Sequence, residues 1–150
     1  MGGALPNANG IRNANTPGTL IAHNVVRENG HYGLYVTGAA STNVRVEHND
    51  VLLNGTLNDD DGIRLENGAS GATVAHNRSE RNPHDGVHVV SSNANLVEHN
   101  DLIDNGSVGV GNGCGNDIEG GSTNNVLSHN DVEGHDRAGI RLRNAGSGKS

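Results

Sequence analysis

The chain has 150 residues, 17 of them acidic and 10 basic, a formal net charge of −7, and only 32% hydrophobic and 1% aromatic content. With so acidic a balance and a single Lys there is no clustered basic footprint for phosphates, so no nucleic-acid partner is expected. No run of 18 apolar residues exists, so no membrane partner is expected, and the single Cys114 precludes an internal disulfide.

Taken in order, the chain repeats. Five His-Asn pairs recur at His23-Asn24, His48-Asn49, His76-Asn77, His99-Asn100 and His129-Asn130. Two places before each His stands an aliphatic residue (Ile21, Val46, Val74, Val97, Leu127), and two places after each Asn stand Val26, Val51, Ser79, Leu102 and Val132. These alternating positions read as short strands. Five residues after each Asn comes Asn29, Asn54, Asn82 or Asn105, with His135 in the last copy, so each copy turns a corner at the same place. A third strand follows as Gly-aliphatic-x-aliphatic: Gly33-Leu34-Tyr35-Val36, Gly62-Ile63-Arg64-Leu65, Gly86-Val87-His88-Val89 and Gly139-Ile140-Arg141-Leu142.

The His-to-His spacings of 25, 28, 23 and 30 are too short for two-helix repeats and match one turn of a strand solenoid. Gly and Asn punctuate every segment, which disfavours helix throughout. The expected fold is all-β: a right-handed parallel β-helix with three strands per coil and about five to six coils. Its core is a column of stacked Ile, Val and Leu, which needs no large aromatics. The repeated Asn stack too, each amide donating to one coil and accepting from the other, and are read as structural. Asn54, Asn77 and Asn105 fall in glycosylation sequons, but inward ladder residues are poor acceptors. Residues 1–150 form a single domain. Neither end carries an amphipathic capping stretch, so the expectation is a piece of a longer solenoid, or coils stacking end to end on another chain. The N-terminus has no basic region followed by an apolar one, so no signal peptide is legible in this chain.

Two short motifs carry little. Gly146-Ser147-Gly148-Lys149-Ser150 resembles the end of a phosphate loop, but Arg143 stands where its first Gly belongs. Gly113-Cys114-Gly115-Asn116-Asp117 is one imperfect copy of a calcium-ladder repeat and is expected to be a flexible loop. The insertions are more informative, because function is usually grafted there. One adds about four residues between Asn54 and Gly62, the other about seven between Val110 and Ser122, judged against the minimal coil. The first brings Asp59, Asp60 and Asp61 to a corner. Coils rise by about 4.8 Å, so Pro83-His84-Asp85 on one side and His31-Tyr32 on the other complete an acidic, His-bearing ledge. On the strand leaving it, the outward positions Tyr35, Arg64, His88, Gly111 and Arg141 stack into a stripe. Arg pairs with a carboxylate, His or Tyr exchanges protons at a ring carbon, and Asp residues hold Ca²⁺, a combination that suits an anionic sugar.

The pattern Asn-x-aliphatic-x-x-Asn-Gly followed by Gly-aliphatic-x-aliphatic, from about Gly10 to Leu142, resembles the repeats of pectate-lyase-like parallel β-helix proteins and of mannuronan C5-epimerases. Asn82-Pro83-His84-Asp85 looks like the Asp-Pro-His-Asp motif that alginate epimerases carry on one coil. That likeness implies an acid/base at His84, a supporting carboxylate at Asp85, an acidic polysaccharide partner, and a secreted or cell-surface location. The sequence departs from the motif at Asn82, which belongs to the Asn ladder.

Two readings remain open. In the first, the domain acts on a uronate-containing polysaccharide by elimination or C5-epimerisation. Catalysis falls to His84, Asp85, His88 and Arg64, and substrate contact to Tyr35, His31 and Arg141, with Ca²⁺ at Asp59, Asp60 and Asp61. In the second, it is a non-catalytic structural, adhesive or sugar-binding segment.

Overall fold

The computed structural model describes residues 8–57, 59–106 and 112–144. Each coil contributes three short strands. The first holds β1 (Ile11–Ala14), β2 (Leu20–Ala22) and β3 (Val25–Arg27); the second β4 (Leu34–Thr37), β5 (Arg45–Glu47) and β6 (Asp50–Leu52). The third holds β7 (Ile63–Glu66), β8 (Thr73–Ala75) and β9 (Arg78–Glu80); the fourth β10 (Val87–Val90), β11 (Leu96–Glu98) and β12 (Asp101–Ile103). The fifth holds β13 (Cys114–Glu119), β14 (Val126–Ser128) and β15 (Asp131–Glu133), and β16 (Ala138–Leu142) opens a sixth. Every third strand pairs in parallel, giving one sheet of six strands (β1-β4-β7-β10-β13-β16) and two of five. None of the described residues is helical.

The registers are those of the repeat. Ile21, Val46, Val74, Val97 and Leu127 form one inner column, and Val26, Val51, Ser79, Leu102 and Val132 a second. The six-stranded sheet adds Ile11, Leu34, Ile63, Val87, Asn116 and Ile140. Side chains of 3-residue strands alternate in and out, so one aliphatic per strand suffices for a continuous narrow core. Ser79 is tolerated there because its Oγ donates to the Gly86 carbonyl at 2.9 Å and accepts from Asn82 Nδ2 at 3.1 Å.

Asn ladders pin two corners of each coil. Along the first, Asn24, Asn49, Asn77 and Asn100 each donate from Nδ2 to the next Asn Oδ1 at 2.9 to 3.0 Å, ending on Asn130. The same Oδ1 accepts the preceding coil's backbone N–H, as Asn77 Oδ1 does from Asn49 at 3.0 Å. Asn29, Asn54, Asn82 and Asn105 make the second ladder, and His135 completes it by accepting the Asn105 N–H at Nδ1. The residue before each ladder Asn is left-handed, with φ of 57°, 55°, 55°, 52° and 53° at the five His. Glycine at 33 and 62 follows from close approach: a Cβ there would collide with Asn54 Nδ2 or Asn82 Nδ2 and with the next coil's carbonyl.

Asn77→Ala removes the acceptor of Asn49's backbone and side-chain N–H groups, and is expected to cost about 1–3 kcal/mol by urea denaturation. His76→Asn, exposed on the same corner, should stay within about 0.5 kcal/mol. Val97→Asp, which buries an unpaired charge in a fully enclosed column, should unfold several coils together as read by far-UV circular dichroism.

Candidate functional site

The outer face of the six-stranded sheet carries the chemistry. In register along it stand Arg12, Tyr35, Arg64, His88, Asp117 and Arg141. Gly111, expected in that stripe, lies outside the described residues, and Asp117 holds its place. The expected flexible loop at residues 113–117 is instead largely strand, with Cys114–Asp117 inside β13. Asn116 hid this coil from the pattern: it occupies an aliphatic core position, 1% exposed, and neither of its amide atoms has a hydrogen-bond partner.

At the adjoining corner the first insertion separates the three Asp expected to hold Ca²⁺. Asp59 is exposed, but Asp60 and Asp61 are fully buried and turn in different directions. Asp60 Oδ2 accepts the N–H groups of Thr56 and Leu57 at 2.8 and 2.7 Å, shaping the insertion, while Oδ1 faces His31 Nδ1. The structure therefore does not bring Asp59, Asp60 and Asp61 together around one point.

Asp61 is the hub of the site. Its Oδ1 accepts from His84 Nδ1 at 2.8 Å and from the Asp85 backbone N–H at 3.1 Å; its Oδ2 accepts from Arg64 Nη1 at 2.7 Å and His88 Nδ1 at 3.0 Å. All four lone-pair directions are used. Asp85 is also buried: Oδ1 accepts the Cys114 N–H at 2.6 Å, and Oδ2 lies 3.1 Å from His84 Nδ1, whose hydrogen bond goes to Asp61. His88 Nε2 reaches Glu119 Oε1 at 3.2 Å, so both ring nitrogens face carboxylates. Arg64 Nε donates to Glu66 Oε2 at 2.7 Å, and Glu66 accepts the Tyr35 hydroxyl. The Arg64 guanidinium lies over the Tyr32 ring at 5.1 Å, and Arg12 over Tyr35 at 5.6 Å. Arg141 lies further along the stripe, donating to Asp117 Oδ2 at 2.7 Å, and Arg143 joins the same carboxylate at 3.1 Å.

His84, Asp85, His88, Arg64 and Asp61 thus form one network, with Tyr35 and His31 at its outer edge and Arg141 three coils beyond Arg64. Glu66, Asp117 and Glu119 were not legible as members. The signal for Asp117 was its place between Gly115 and Ile118, which matches the other coils once Asn116 is accepted as a core residue.

The charges follow from these contacts. Burial penalises the imidazolium of His84, but its hydrogen bond to Asp61 and the adjacent Asp85 carboxylate outweigh it and hold the pKa up at about 10. His88 shifts upward too, burial again being overcome by Asp61. Asp61 is disfavoured as an anion by burial, yet His88, His84 and Arg64 together hold it well below the usual carboxylate range. Burial, with Asp61 nearby, pushes the Tyr32 hydroxyl up to about 12, and burial beside Asp85 does the same to the Cys114 thiol.

Asp61, His84, Asp85 and His88 offer ligand-type atoms within 4.8 Å of one another, as do His88, Asp117 and Glu119. Arg64 Nη1 sits 2.7 Å from Asp61 and 3.1 Å from His88 Nδ1, so a guanidinium already holds a cationic position in the first group.

The family model for the right-handed β-helix region matches residues 5–150. The chain belongs to the right-handed β-helix family. No curated protein matches the sequence. Among solved structures, this β-helix is similar to a double mutant of the periplasmic alginate epimerase AlgG, at a TM-score of 0.72 and 22% identity. The match covers 89% of this chain and 29% of that one, so the β-helix described here spans under a third of that protein's length.

His84 is raised above its unfolded value of about 6.5, so its contribution to stability is complete below that pH and is lost as the pH rises toward about 10. Asp61 is lowered, so its contribution is present above about pH 4 and is lost as the pH falls further. The gap in urea midpoint between wild type and His84→Gln should be widest near pH 5.5 and shrink by pH 10. A gap that widens over that range would contradict the pairing.

Proposed function

We propose that this β-helix binds an acidic, uronate-containing polysaccharide across the outer face of its six-stranded sheet, with His84 as proton donor in an elimination or C5-epimerisation. The observation that carries this reading is the convergence, on one face, of two tyrosine rings, two guanidinium groups and the His84 imidazole, whose pKa the neighbouring carboxylates hold up at about 10. Tyr32 and Tyr35, with ring centroids 5.0 Å apart, offer amphipathic surfaces to sugar rings, and Arg12 and Arg64 offer the charge that a uronate carboxylate needs. Neutralising that carboxylate acidifies the hydrogen on the adjacent ring carbon. The Tyr35 oxygen takes that proton as its own passes to the Glu66 carboxylate, and His84 gives a proton to the leaving oxygen in elimination, or to the opposite ring face in epimerisation. The fold likeness to a periplasmic alginate epimerase supports the substrate class and an extracytoplasmic setting.

A second reading rests on a specific observation. His88 is 3% exposed, Asp61 and Asp85 are fully buried, and each is paired within the network. Such a closed cluster fastens the corner, and the tyrosine edge then binds the chain without turnover.

Alginate, pectate and other uronans, with and without Ca²⁺, separate the two when assayed for unsaturated uronate by ultraviolet absorbance and for C5 exchange in D₂O by proton NMR. Turnover is expected, falling at least about 100-fold in His84→Gln. Binding without turnover, abolished by Tyr35→Ala, would establish the second reading. No binding to any uronan would overturn both.

A further inference from the structure

The five His that precede the first Asn ladder take no part in the site above. Their rings stack along one edge of the solenoid, with centroids 5.1, 4.9, 5.1 and 4.8 Å apart and planes within 2° to 14° of parallel. All five are exposed. The left-handed backbone at these positions does not require His. The equivalent corner before the second ladder has the same conformation and holds Glu28, Leu53, Arg81, Asp104 and Gly134. Among the described residues, the remaining left-handed corners hold Asn, Ser, Ala or Gly, and none of them holds His. A common backbone requirement would have filled both corners alike, so the imidazole side chain itself is what repeats.

The surroundings define what this column would take. Beside it, in register, run Asp50, Arg78, Asp101 and Asp131 on one flank, and Glu47 and Glu98 on the other. Arg78 pairs with Glu80, and Arg45 with Glu47. An open groove runs over His48, His76, His99 and His129, bordered by Asp50, Arg78 and Asp101. Acidic flanks repel an anionic ligand and attract a cation. Neutral imidazoles with a few carboxylates suit late first-row divalent ions, whereas Ca²⁺ demands a nearly complete shell of oxygens.

We propose that the imidazole column binds late first-row divalent cations, each held by imidazoles of adjacent coils with a carboxylate from the flanking stripe. Two nitrogens on one ion lie roughly 3 Å apart, closer than the stacked rings. The side chains are exposed, and rotation about their bonds, which is fast at a surface, closes that difference. The site stands on a different edge from the uronate-binding face and does not depend on that reading.

The test uses the full chain and Zn²⁺ or Ni²⁺ alone. Calorimetry should show Zn²⁺ uptake that weakens from pH 8 to pH 5.5, because protons compete for the same nitrogens. Ca²⁺ should give no heat. The triple substitution His48→Asn, His76→Asn and His99→Asn keeps a residue that the fold already uses at left-handed corners, and should weaken Zn²⁺ at least tenfold with an unchanged circular dichroism spectrum. Substoichiometric Ni²⁺ should broaden the imidazole NMR signals of the column before those of His31, His84, His88 and His135, a readout that needs no variant. No Zn²⁺ uptake by the wild type, or broadening centred on His84 and His88, would overturn the proposal.

Discussion

Everything in this molecule depends on coils stacking in register, so that each backbone and amide group of one coil finds its partner in the next. The Asn side chain is the device that enforces it. Asn77 shows the full pattern: Nδ2 donates to Asn100 Oδ1 and to the Val46 carbonyl, while Oδ1 accepts from the Asn49 backbone and side chain. A slip of one residue would break all of these bonds and move every aliphatic to the wrong face. Coil lengths of 25, 28, 23 and 30 residues are accommodated because the extra residues leave the ladder contacts untouched.

Given that register, the outer-face cluster follows from which residue each coil places in the same column. Corner residues Tyr32, Asp61, Asp85 and Cys114 sit one above another, as the bonds from Gly33 to Asp61, Gly62 to Asp85 and Gly86 to Cys114 show. Beside them the stripe sets Arg64 and His88 on neighbouring coils. Two carboxylates stacked about one coil apart would repel in isolation. Here Arg64, His84 and His88 lie between and around them, which is why charged groups can be so deeply buried on an outer sheet face. The arrangement holds the His84 pKa up at about 10, against the penalty of burial.

The sequence made the scaffold legible because the period-two aliphatics and the Asn repeat are enforced by the same physics in every coil. Val97, Ser79 and even His135 stand where the repeat places them. The site was legible only in part. His84, Asp85, His88 and Arg64 are brought together as expected, since register alone decides that. Asp61 read as one of three corner acids that would hold Ca²⁺, and only the fold of the insertion separates the exposed Asp59 from the backbone-capping Asp60 and the central Asp61. Asp117 was missed because Asn116 breaks the aliphatic pattern. The His of the repeat marked the period without disclosing that their rings stack in the open, because orientation at a left-handed corner is not written in spacing.

Whether the tyrosine and arginine edge of the six-stranded sheet holds a uronate chain is decided by a crystal structure with a uronate oligosaccharide. Sugar rings are expected over Tyr32 and Tyr35, a carboxylate against Arg12 or Arg64, and His84 Nε2 facing a ring carbon or glycosidic oxygen. An oligosaccharide bound on either five-stranded sheet, with this edge bare, would contradict that placement.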